Sequence, residues 1–192
     1  MYRWIVLLFL AVAFAANGKE SCSDSVLHSP LPAAQAAEGQ TLLLAGKTRL
    51  EVGLGETVGT IGRLPELLIV KYRDGAILSH RWMEQAELRE AQSSELAFVD
   101  FIRLVFRQDV LGASSADRTE ADAVWNALAS GCINARHYQL SGTDLFAYSQ
   151  TRGGGERYHA FYILDDDLVH YLDIRGEDAL ADHLLATLKK RD

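Results

Sequence analysis

The stretch RYHAFYILDDDLVHYLDIRG, residues 157–176, decides the fold. Two runs rich in aromatic and β-branched residues flank three aspartates, Asp165, Asp166 and Asp167. If Asp166 and Asp167 form a two-residue turn, Ile163 faces His170, Phe161 faces Leu172 and His159 faces Ile174. Those six residues then share one side of the ribbon, while Tyr162, Leu164, Val169 and Tyr171 share the other. Both sides are largely apolar, which suits inner strands covered on both faces. Aspartate tolerates turn geometry and bonds its own backbone, so the acidic triple reads as a turn. A calcium loop would space its ligands around a glycine, as in D-x-D-x-D-G, and three consecutive carboxylates in a tight turn cannot converge on one ion.

Working outward, RHYQLSG, DLFAYSQ, RYHAFYIL and LVHYLDIR are successive strands, separated by Ser141-Gly142, by TRGGGE and by the aspartates. Upstream, QTLLLAG and KTRLEVGL read as short strands. In ELLIVKYRDGAILSHRW the RDG is a turn signal, predicting a hairpin of 67–72 with 76–82. The period then changes. SSELAFVDFIRLVFRQDVLG carries Ser93 and Ser94 as caps, Asp100, Arg103 and Arg107 on one face, a wide apolar face opposite, and Gly112 as the stop. DRTEADAVWNALASG repeats the logic, with Asp117 and Glu120 at capping-box spacing and Gly131 closing. EDALADHLLATLKKR predicts a last helix with acidic residues at its start and three cations at its end, complementing the macrodipole. The expectation is an α+β fold: one domain, mainly antiparallel sheet, about three helices packed on it.

The first 16 residues have the anatomy of an export signal. Arg3 precedes an apolar run from Trp4 to Ala16, and Ala13-Phe14-Ala15 gives the small-x-small cleavage pattern. The run is shorter than the ~20 residues a transmembrane helix needs, although an uncleaved anchor is the alternative. Residues 17–39 contain Pro30 and Pro32, many small residues and no periodic apolar face, and are expected to be a flexible leader to a domain spanning 40–192. Lys19 and Glu20 stand where a lipobox before Cys22 would place small residues, which argues against lipidation. In an oxidising compartment Cys22 and Cys132 would form one disulfide, worth up to about 4.7 kcal/mol for so long a loop. The alternative leaves Cys132 buried and free, with Cys22 in a mobile tail. The chain carries a net charge of −7, and −8 once Arg3 leaves with the signal. Nucleic-acid-binding proteins cluster Lys and Arg, so the balance argues against a nucleic-acid partner. No segment after the signal is apolar enough to span a bilayer.

No catalytic motif converges. GLGETVGTIG, residues 53–62, has its third glycine one residue late for the dinucleotide fingerprint, opens into no helix and lacks a Walker lysine, so it reads as a loop. His159 and His170 share a face but specify no third metal ligand, and read as satisfied sheet histidines. His80 and Met83 in HRWM have a copper-like spacing without a methionine-rich partner. There is no G-x-S-x-G, and Cys132 opens no helix that would activate it. Tyr148, Tyr158, Tyr162 and Tyr171 are candidates for a ligand groove. The cationic loop TRGGGER, 151–157, is the best interaction element of an acidic protein, with Arg152, Gly153, Gly154 and Arg157 as contact residues.

This order of elements, an exported leader, early hairpins, a helical middle, then hairpins and a C-terminal helix, resembles secreted PsbP/Mog1-like domains in layout over residues 40–190. The resemblance implies a non-catalytic accessory or binding module and assigns no functional residue. The functional expectation is therefore an exported binding module for a protein or small molecule, with no cofactor and no metal. The alternative is a small exported hydrolase with a Ser/His/Asp site near His80, His159 or His170. Thiol titration of the unreduced, denatured protein should find no free thiol; two thiols per chain would overturn the Cys22–Cys132 bridge.

Overall fold

The computed structural model describes residues 25–44, 46, 48–65, 67–84, 96–129, 134–151 and 155–191. The expected signal, the two cysteines, the loop residues Arg152, Gly153 and Gly154, the caps Ser93 and Ser94, and Gly131 lie outside the described residues.

The hairpin of the opening stretch forms in the expected register. Strand β9 (Arg157–Asp165) pairs antiparallel with β10 (Leu168–Arg175), matching Ile163 with His170, Phe161 with Leu172 and His159 with Ile174. Asp166 takes the left-handed turn conformation at φ 63, which aspartate tolerates better than most side chains. Asp165 corrects the expectation: it is the last residue of β9, almost fully buried, and belongs to the core rather than the turn.

The hairpin lies inside an eight-stranded sheet of order β1-β7-β8-β9-β10-β6-β5-β4. Its other strands are β1 (Val26–His28), β4 (Val58–Leu64), β5 (Leu67–Tyr72), β6 (Ile77–Glu84), β7 (Asn134–Leu140) and β8 (Thr143–Thr151). All neighbours pair antiparallel except β1, which lies parallel to β7. A second, three-stranded sheet places β3 (Leu50–Gly55) between β2 (Gln40–Leu44) and β11 (Lys189–Lys190). Three helices complete the described residues: α1 (Phe98–Val105), α2 (Ser115–Ala129) and α3 (Asp178–Thr187). The class is α+β with mostly antiparallel strands.

Two cores occupy the two faces of the large sheet. On one side Tyr148, Tyr158, Tyr162, Leu164 and Val169 pack against α1 and α2, with Phe106 stacked on Phe146 at 4.8 Å. On the other, Leu145, Phe161, Ile163, Leu172 and Ile174 pack against Leu50, Val52 and Leu54 of β3 and Ala181, Leu184 and Leu185 of α3. The odd and even residues of one hairpin thus serve different cores, as the double-sided apolar pattern requires.

Several local expectations are revised. Part of the segment expected as a flexible leader is in the sheet: Val26, Leu27 and His28 pair with Ala135, Arg136 and His137. The glycine-rich stretch is not a loop but the end of β3, a tight turn at Glu56-Thr57, and most of β4. Gly53 serves packing: a Cβ there would meet the Ala37 Cβ at 2.9 Å and the Thr187 Cβ at 3.1 Å, so only glycine lets α3 sit directly on β3. The Gly53 N–H donates to Thr187 Oγ1 at 3.1 Å across that contact.

Helix α1 ends at Val105, seven residues before Gly112, because Arg107 turns left-handed at φ 62. That turn lets Arg107 pair with Asp122 and cover the Trp125 ring at 5.2 Å. Helix α2 starts earlier than expected, with Ser114 and Asp117 as the capping pair: the Ser114 N–H donates to Asp117 Oδ2 at 2.8 Å and the Asp117 N–H to Ser114 Oγ at 3.1 Å. The C-terminal cations are not on α3. Lys189 and Lys190 pair as β11 with β3, and Lys189 reaches Glu51 at 3.0 Å.

The hairpin reading makes a contrast that urea unfolding can check. Phe161→Ala, at a ring that is 3 % exposed, should cost about 3–5 kcal/mol. Asp166→Asn, which keeps a side chain suited to φ 63, should change stability by less than about 1 kcal/mol.

Candidate functional site

The parallel pairing of β1 with β7 sets His28 directly opposite His137. Cross-strand partners project to the same face, here the helix-covered one, where Ala135 of β7 and Val26 of β1 also pack. The pairing is fastened beyond the strand by the Ser29 N–H, which donates to the His137 carbonyl at 2.9 Å. The two imidazoles meet edge to face, ring centres 4.8 Å apart at 63°, with Nδ1 of one 2.9 Å from Nδ1 of the other.

His137 is gripped from behind. Its Nε2 lies 2.8 Å from Asp144 Oδ1, and its ring stacks on Phe146 at 4.6 Å. Asp144 stands at the start of β8 on the same face. Arg103 of α1 donates to Asp144 Oδ2 from Nε and lies 2.9 Å away through Nη2, while its Nη1 donates to Asp100 at 2.8 Å. Burial by itself raises the Asp144 carboxyl, but hydrogen bonds from His137 and Arg103 outweigh it and hold the group below the usual aspartate range. Asp144 is therefore a carboxylate acceptor, and Nε2 of His137 carries the hydrogen that points at it. In the neutral ring Nδ1 of His137 is then the acceptor turned towards His28. The chain Asp100–Arg103–Asp144–His137–His28 ends in an open cleft of about 380 Å³ lined by His28, Ser29, Pro30, His137 and Gln139. His28 is exposed, whereas His137 is buried.

The residues singled out from sequence lie elsewhere. His80 and His170 form a second polar chain, His80 Nε2 being 3.2 Å from His170 Nδ1, but they are only 5 % and 1 % exposed. Below them Asp165 accepts from the Thr48 N–H at 3.0 Å and from the Thr48 hydroxyl. His170 Nε2 has no hydrogen-bond partner among the described residues. A Cβ on Gly46 would lie 3.2 Å from that nitrogen and would collide with Asp165, so the chain backbone seals the cluster. His159 is buried beside Asp178 at 3.2 Å. Met83 packs into the helix-side core while His80 stands opposite Leu172 of the other core, so the pair cannot share an ion.

Tyr148, Tyr158 and Tyr162 do not line a groove. They are buried under α1 and α2, where the Tyr158 hydroxyl meets the Tyr171 hydroxyl at 2.6 Å and donates to Asp173 at 3.1 Å. Arg157 is exposed, 3.8 Å from Asp178. It begins β9 opposite Thr151, at the far end of β8 and roughly 20 Å by strand rise from Asp144. Arg157 and Thr151 thus lie at the opposite end of β8 from Asp144. No helix among the described residues is long and apolar enough to cross a membrane.

No family model and no curated protein matches the chain. Among solved structures, a crystal structure from Bacteroides thetaiotaomicron VPI-5482 is similar over 81% of this chain and 49% of its own, at 9% identity and a TM-score of 0.42. The chain spans about half the length of that protein, and a likeness at this level carries no argument about fold family or function.

The buried histidines set a pH dependence. Burial first, then the neighbouring His170, lowers the His80 pKa from 6.5 to about 4, and burial lowers His170 as well, against the pull of Asp165. Between those values the unfolded chain takes up a proton that the folded one refuses, so stability falls as pH drops from 6.5 towards 4. In chemical denaturation at pH 7 and 4.5, His80→Gln should lose less stability on acidification than the wild type, by roughly 1–3 kcal/mol. An identical loss in both proteins would show that His80 is not the group refusing the proton.

Proposed function

We propose that the protein is an exported, single-domain, non-catalytic binding module whose ligand seat is the cleft between β1 and β7. The observation that carries this reading is the oriented chain from Arg103 through Asp144 and His137 to His28, which ends at open space. Buried polar groups held this firmly, next to an accessible cleft, present fixed hydrogen-bonding atoms to a ligand at little ordering cost. A single domain is supported by the large sheet, which forms the common wall of both cores. Export is supported by the character of residues 1–16. The cationic loop remains the proposed contact for a protein partner, with Arg157 exposed at its end.

The alternative of a hydrolase built on His80, His159 or His170 finds less support. These side chains are enclosed by packed neighbours, and a general base must reach the substrate proton within hydrogen-bond distance. The module reading is tested by amide-shift mapping with a fragment set of small carboxylates, amides and imidazoles, alongside ester and phosphoester reporter substrates. Fragment shifts should cluster at residues 28–30 and 137–139, with no turnover. Shifts gathered elsewhere, or turnover abolished by His159→Gln or His170→Gln, would overturn the reading.

A further inference from the structure

We propose that His28 and His137 are the two protein ligands of a transition-metal site of tetragonal preference, of the Cu(II) or Ni(II) class, bound through their Nδ1 atoms at the mouth of the cleft. The proposal rests on the reading of that cleft as the binding seat and names its chemistry.

Three observations converge on it. The first is the spacing. Imidazole nitrogens bind first-row ions at about 2.0–2.1 Å. Two such nitrogens 2.9 Å apart then subtend close to a right angle at the ion. Adjacent positions of a square-planar or octahedral ion have that angle, whereas tetrahedral zinc spreads its ligands wider, to roughly 3.4 Å between nitrogens. Copper(II) also binds nitrogen ligands most tightly of the divalent series.

The second observation is the support behind the ligand. A metal-binding histidine almost always gives its other N–H to a carboxylate or carbonyl, which fixes the tautomer and raises ligand basicity. His137 does this with Asp144 at 2.8 Å, and Arg103 fastens Asp144 in turn. The nitrogen left with a free lone pair is the one that faces His28. Asp144 is a positioning residue, reaching the ion only through His137.

The third is access. The cleft runs past both rings and adds Ser29 and Gln139 to its wall, leaving room for water or a ligand to fill the remaining coordination positions. By contrast, the His80–His170 pair is sealed and offers no entry path.

Without metal the two Nδ1 atoms are hydrogen-bonded to each other, the donor being set by the tautomer. Binding M²⁺ replaces that hydrogen bond with the ion, and both nitrogens contribute their lone pairs. A neutral ring keeps its one hydrogen, which moves to Nε2 where Nδ1 becomes the ligand, and no electron moves. Only a protonated ring must lose a proton to bind, so affinity rises with pH.

Copper(II) and nickel(II) titrations of the full purified chain test the proposal by calorimetry at two pH values, with copper EPR as a second readout. Wild type should take up one equivalent, bind more tightly at the higher pH and show an EPR spectrum of two nitrogen ligands. His28→Gln, at an exposed strand end, should keep the fold by circular dichroism and bind at least tenfold more weakly. Asp144→Asn should lose about 10–100-fold in affinity. His183→Gln, in α3 away from the cleft, should match wild type. Absence of binding, or unchanged affinity and EPR in His28→Gln, would overturn the site, the second result placing the metal on other groups. If metal binding fails while fragments still shift residues 28–30 and 137–139, the metal assignment falls and the cleft reading stands; if both fail, both fall.

Discussion

The alternation along β9 and β10 is the constraint on which everything else rests. Phe161, Ile163, Leu172 and Ile174 complete one core, and Tyr162, Leu164 and Val169 complete the other. A slip of one residue in the turn would exchange these sets across the sheet. It would drive His170 under the helices and pull the tyrosine cluster away from them. Both strands have neighbours on their outer sides, β8 and β6, so the error would propagate through the sheet rather than stay at an edge. Asp165 guards against it. Its side chain, one residue before the turn, is held by Thr48 from the connection between β2 and β3, and a shifted register would bury that polar group without this partner.

Two histidine pairs built from similar parts behave differently because of where they stand. His80 and His170 lie beneath the small sheet, where desolvation disfavours charge and Gly46 packs close to His170. Their chain fixes packing. His28 and His137 lie where the sheet runs out, with Arg103 and Asp144 supplying compensated charge on the inner side and a cleft on the outer. Burial of the inner members gives rigidity, and exposure of His28 gives access.

The hairpins and their register were legible because their signals are local: alternation, a two-residue turn, a change of period at the helices. What failed to show was long-range. The strand containing His28 is three residues long, sits among prolines and small residues, and acquires its meaning only from β7. Nothing in VLH announces a partner. Asp165 looked like the first of three turn residues, and only the approach of Thr48 gives it a different role. Gly53, read as part of a loop, proved to be a site of close packing, since a missing side chain looks the same in sequence whether it confers freedom or makes room. Helix α1 stopped early because Arg107 found an acid and an aromatic ring in α2, contacts that outweigh its helical preference.

The separation of 109 residues between the two facing histidines has a temporal side. At roughly 5–20 residues per second of synthesis, His28 emerges some 5 to 20 s before His137 exists. In that interval VLH has no edge to join and His28 has no partner to meet. Loop closure over such a span is entropically among the later events of folding, after the hairpins that build β7 and β8. Thr48 with Asp165 and Gly53 with Thr187 close still longer spans, so the pair belongs to the late, long-range events of folding. Occupancy of the proposed seat would therefore report that β1 has joined β7.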